Sequence, residues 1–178
     1  AKVPLSAIMN TKSFDFEKSS QSAGWIKELN EEHTPETEEF GISSFVYQKQ
    51  RPFHPERLKR WLENWPPQII RAKGFFWLAS RNDTAGLLSQ AGSSLMIQSA
   101  GPWIAASPEE EQKLAFEEDP HLKTDWDETY GDRKTEIVFI GIDMNQEDII
   151  RSLDQTLLTD KEMNSDWSAF HDSLPEYI

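Results

Sequence analysis

The sequence predicts an α+β fold, an antiparallel-dominated sheet of about four strands with helices on one face. Three observations predict it. Segment 135–142 is apolar at both alternating sets of positions, with Ile137, Phe139 and Gly141 on one face and Val138, Ile140 and Ile142 on the other. That pattern belongs to an interior strand covered on both faces, or covered on one and docked on the other. Leu58, Trp61, Leu62 and Trp65 recur at i, i+3, i+4 and i+7, the stripe of a helix laid on a core. The order of elements is strand, helix, strand, one or two strands, inserted helix, strand, helix, which suits a two-layer sandwich of ferredoxin-like type.

Taken in order, Ala1–Phe14 has little helical or strand period, and Phe16–Leu29 reads as a weakly amphipathic helix. Residues 30–39 form an acidic linker with a helix-stopping Pro35, and a boundary falls near residue 40. Gly41–Gln48 is a strand, with Phe45 and Tyr47 on one face and Ile42, Ser44 and Val46 on the other. Arg51-Pro52-Phe53-His54-Pro55 ends it, because two prolines cannot continue a ladder. Pro55 suits a first helical turn with His54 just outside as its cap, and Pro66-Pro67 stops the helix. Lys73–Ala79 is the second strand. Ala85–Gln90 and Ser94–Gln98 are two strands of a hairpin or one long strand with a glycine bulge, and Trp103–Ala106 continues the latter.

Ser107-Pro108-Glu109-Glu110 opens an acidic helix running to about Phe116. An aromatic, acidic connector over 121–130 leads to strand 135–142. Asn145 then caps a last helix with Ile149, Ile150, Leu153 and Leu157 on its apolar face. Thr159–Ile178 is a tail with apolar spots. The clusters Phe75/Phe76/Trp77 and Trp61/Trp65 read as core, and Arg71, Lys73 and Arg81 as solvated strand ends.

The chain has 178 residues, enough for one domain plus an extension, and its seven Trp and ten Phe suffice for a core. A net charge of −13 excludes nucleic acid and anionic membranes as natural partners and favours cations or basic protein surfaces. The absence of cysteine removes disulfides, thiolate metal sites and thiol nucleophiles. No signal peptide or membrane-length apolar run is present, so the expected location is the cytoplasm. A start at Ala1 suggests a piece of a longer chain. Phosphate-cradling loops, dinucleotide fingerprints, paired zinc histidines and nucleophile elbows are all missing.

Five motifs nevertheless occur in a telling order: Gly41–Tyr47, Arg51–Leu58, Arg71–Ala79, Gly131-Asp132-Arg133 with Val138–Ile142, and Leu157–Met163. Together they resemble the C-terminal domain of CobW-type P-loop GTPases over roughly residues 40–165. The resemblance implies residues 1–40 as the tail of a GTPase domain plus linker, 41–165 as the C-terminal domain, and 166–178 as a tail. It implies a parent that uses GTP and magnesium to deliver zinc, or cobalt, to client metalloproteins, with the nucleotide and metal motifs upstream of this chain. No cofactor is expected here. The expected partners are the chain's own N-terminal GTPase domain, a client metalloprotein and, if apolar surface stays exposed, a second copy.

The leading reading is therefore a non-catalytic interaction or regulatory domain of a metal chaperone. Interface candidates are Arg51, Phe53, His54, Arg57, Asp132 and Arg133. His54 fits best a plain strand-to-helix turn, next a contact with the GTPase domain or client, and last a metal ligand. Asp132–Arg133 fits a domain contact or an internal lock fixing the connector to the sheet. The alternative reading is a metal buffer or relay using His33, His54 and His121 with neighbouring carboxylates, although tight zinc sites want three or four convergent ligands.

Overall fold

The segment with the strongest strand signature, Thr135–Ile142, lies inside the sheet. As β5 it pairs antiparallel with β1 (Ile42–Lys49) on one side and β2 (Ile69–Phe76) on the other. The computed structural model describes Pro4 and residues 40–177. The expected helix over 16–29, the acidic linker and His33 lie outside the described residues. β3 (Thr84–Ala91) and β4 (Ser94–Pro102) form a hairpin beside β2, completing a five-stranded antiparallel sheet in the order β1-β5-β2-β3-β4.

The class is the expected one, and the strand count is five rather than four. Gly92 adopts φ 57 at the hairpin tip, so the glycine makes a reversal and not a bulge. Trp103–Ala106 is not a strand continuation: Pro102 ends β4 and Ile104–Ala106 is a 3-10 turn. β1 and β2 are both antiparallel to β5 and so run parallel to each other across it. Helix α1 (Pro55–Glu63) joins them in a split β-α-β unit.

One face of the sheet carries the core. Phe45, Tyr47, Phe76, Ile137 and Phe139 from the strands pack with Leu58 and Leu62 of α1. Ile149 and Leu153 of α3 (Gln146–Asp154) join the same cluster. Each such side chain taken from water contributes about 1.5–3 kcal/mol, far more than the hydrogen bonds around it. Trp61 and Trp65 sit half-buried at its rim, and the Trp61 indole donates to Ser152 Oγ of α3 at 2.9 Å. The Tyr47 hydroxyl and the Lys49 ammonium both donate to Asp154, at 2.8 and 2.9 Å, tying the end of α3 to β1. Gly74 is required by close approach, because a Cβ there would run into the backbone of Glu136 and Ile137 on β5.

Helix α2 (Glu109–Glu118) extends two residues past the expected Phe116 and buries no side chain. The opposite face of the sheet presents Val46, Phe75, Met96, Val138 and Ile142, all exposed. Phe75, expected in the core, is therefore on the open face, 49% exposed. Strand parity decides it: its neighbour Phe76 takes the inward position. Among the described residues no helix is long and apolar enough to cross a membrane.

Candidate functional site

Two of the motifs read from the sequence interlock. Pro52 and Pro55 carry no N–H, so segment 51–55 cannot extend the β1 ladder. Its remaining N–H groups bond sideways, Phe53 to the Trp77 carbonyl at 2.8 Å and His54 to the Thr156 carbonyl at 2.9 Å. The Leu158 N–H returns a bond to the Pro52 carbonyl at 3.0 Å, and Phe53 bridges both Leu78 and Leu157. Two arginines close the latch. Arg51 donates to the Leu158 carbonyl at 2.9 Å and to Asp160 at 2.6 Å. Arg57 donates to the Leu157 carbonyl at 2.9 Å and forks onto both oxygens of Glu162 at 2.9 and 2.6 Å.

Glu162 belongs to the short helix α4 (Asp160–Met163), where it forms a capping box with Thr159. Hydrogen bonds from Arg57 first, then from Thr159, hold its carboxyl well below the ordinary range, at about 2. His54 stands at the start of α1 but makes no capping bond. Its ring packs against Phe170 at 4.7 Å, and Nδ1 is buried without a hydrogen-bond partner among the described residues. Burial, reinforced by the Arg57 charge, lowers its pKa and keeps the ring neutral. Phe53 is wholly buried, stacked on Tyr47 at 6.2 Å, and shows no surface to a partner.

Asp132 and Arg133 do not pair with each other. Asp132 accepts the N–H groups of Ile104 and Ala105, each at 2.9 Å. Arg133 donates to the carbonyls of Asn82 at 2.9 Å and Tyr130 at 3.1 Å, and reaches Asp83 at 3.4 Å. Both thus fasten the connector to the open end of the β3–β4 hairpin, Arg133 where the chain enters it and Asp132 where the chain leaves it. Gly131 makes this possible: its φ is 69, and a Cβ would collide with Ala105. Beneath lies a second core of Trp77, Ala85 and Trp103, which the Phe53–Leu78 bridge joins to the latch.

His121 is exposed on the turn Pro120–Lys123, and His54 stands at the start of α1. Among the described residues no group of three or more His, Asp or Glu is placed to hold a metal ion, and His33 lies outside them.

Sequence reasoning missed Arg81, read as a solvated strand end. Its side chain is only 18% exposed and clasps the last segment of the chain. It donates to Asp172 at 2.8 Å and to the carbonyls of Pro175 and Leu174 at 2.9 and 3.1 Å, and lies 4.2 Å over the Tyr177 ring. Leu174 enters the main core. A separation of some ninety positions leaves no local sequence signal for this contact.

Residues 42–157 match the family described as the cobalamin synthesis protein cobW C-terminal domain. The chain is 43% identical over 166 residues to zinc-regulated GTPase metalloprotein activator 1 of Dictyostelium discoideum, covering 90% of this chain and 34% of that protein. It is 31% identical over 139 residues to a zinc chaperone of Mycobacterium tuberculosis, covering 76% and 35% respectively. Among solved structures, the zinc-bound YjiA GTPase of E. coli aligns with a TM-score of 0.45 at 18% identity, over 70% of this chain and 32% of that one. The chain spans about a third of the length of the curated relatives it matches.

Proposed function

The chain belongs to the cobW C-terminal domain family, and from that membership we propose that it is the non-catalytic interaction and regulatory domain of a cytoplasmic, GTP-dependent metal chaperone. Zinc is the cargo, and the domain couples an upstream GTPase domain to a client metalloprotein. The observation that carries this reading is the open sheet face. Val46, Phe75, Val138 and Ile142 are exposed on strands whose other face is fully packed, an apolar patch of the kind that marks an interaction surface. Its occupant is the GTPase domain, the portion of the relatives that this chain does not span. Arg71 and Lys73, exposed on the same face of β2, supply a local positive spot in an acidic chain.

The test uses the remainder of the Dictyostelium relative, produced separately and titrated with this chain by calorimetry. Binding is expected, and the double substitution Phe75→Asp with Val138→Asp is expected to abolish it without lowering the melting temperature, since both side chains already face solvent. Absent binding, or binding indifferent to both substitutions, overturns the assignment. The metal-relay alternative is separated by the zinc titration described in the Discussion.

A further inference from the structure

β4 is an edge strand whose stretch Ser94–Ser99 lacks the devices that normally guard one; a register shift between Ser99 and Pro102, and Pro102 itself, come only at its end. It ends the order β1-β5-β2-β3-β4, so one side of its backbone has no partner strand among the described residues. Exposed edges are ordinarily blunted by charges, by proline or by bulges that turn them away. From Thr84 to Pro108 the chain holds no Asp, Glu, Lys, Arg or His at all, in a protein of net charge −13. The whole β3–β4 hairpin and its exit are therefore neutral, and the first proline on β4 comes only at its end, Pro102. The other edge, β1, differs. Its Gln48 bonds Glu136 across the ladder, and its last residue, Lys49, is ion-paired with Asp154.

β4 carries apolar side chains on both faces, among Ser94, Gln98 and Ser99. Met96 is 50% exposed on the open side of the sheet. Leu95 and Ile97 point the other way and, with Leu62, Leu174 and Pro175, line a largely apolar groove of about 240 Å³ along the edge, to which Lys59 and Glu63 add one ion pair at 3.9 Å. A strand laid beside β4 would bond its free N–H and C=O groups, seat alternate side chains in this groove and rest the others against Met96.

We propose that the occupant is β4 of a second copy of this chain, paired antiparallel across a two-fold axis to continue the sheet from one copy into the other. Charge selects this occupant. Two copies of an acidic chain repel wherever carboxylates meet, and the neutral hairpin is where that cost is least. The strand itself carries no charge, and Lys59 and Glu63 beside it neutralise each other, so the edge selects neither a basic nor an acidic partner, whereas a second copy brings the same strand by symmetry. A register centred on Met96 sets Leu95 of each copy opposite Ile97 of the other, two apolar cross-strand pairs from one contact. The pairing uses the edge of the sheet and not its open face, so it stands or falls separately from GTPase docking.

Sedimentation velocity on the whole chain, up to about 100 µM, a weak-association scale, tests it. A concentration-dependent dimer is expected. Leu95→Lys and Met96→Lys are each expected to return it to monomer, and Val138→Lys, on the open face, to leave it intact. A chain monomeric throughout that range overturns the proposal, as does a dimer that both edge variants leave unchanged or that Val138→Lys disrupts equally.

Discussion

Glu162 and His54 both sense the Arg57 charge, and their titrations give the latch a two-step response to acid. The His54 pKa is lowered in the folded chain, so below its ordinary 6.5 the unfolded chain takes up the proton first and stability falls. Glu162 is held at about 2 against an ordinary 4.5, so the stability it contributes is present above 4.5 and is lost as pH falls from there toward 2. Urea midpoints measured from pH 8 to 3 should therefore decline mildly below 6.5 and more steeply below 4.5. His54→Gln should remove the upper step. Glu162→Gln should remove the lower one and cost about 1–2 kcal/mol at pH 7, the scale of a lost cap and a partly exposed charge pair. A Glu162→Gln profile that keeps the steep decline would refute the assignment.

At the scale of elements, the short segments between and after the strands are held by side chains reaching across the chain as well as by backbone hydrogen bonds. Asp132 and Arg133 hold the connector, Arg51 and Arg57 hold 156–162, and Arg81 holds 172–177. The last of these is the most concentrated, with one guanidinium serving a carboxylate, two carbonyls and a ring. Arg81→Ala should cost about 1–3 kcal/mol, because it removes the charge partner of a partly buried carboxylate that keeps only Ser80 and the Leu174 N–H, and takes the donor from the Leu174 carbonyl. It should also speed proteolysis after Phe170 while β2 and β5 amides stay protected from exchange. Unchanged cleavage would mean that Leu174 and Tyr177 hold the segment by packing alone. These contacts were not legible in the sequence: an arginine beside a strand reads the same whether it meets water or a carboxylate ninety residues away.

For the molecule as a whole, the proposed function places nucleotide chemistry outside this chain. Calorimetry with GTP and magnesium should show no tight binding, and zinc titration should show none tighter than about 10 µM. A tight GTP site would overturn the division of labour proposed here, and a tight zinc site would revive the relay through His33, His54 and His121. What the sequence determined by itself was the α+β class, the place of 135–142 inside the sheet, and the stripe of α1 and α3 on its core. Periodicity encodes which face of an element is apolar, and burial of that face drives folding. What only the tertiary structure decided was which apolar face stays open, as at Phe75 and Val138, and which charges are bound, as at Arg57, Arg81 and Asp132. Both depend on what another part of the chain brings alongside, and a linear pattern holds no record of its neighbours in space.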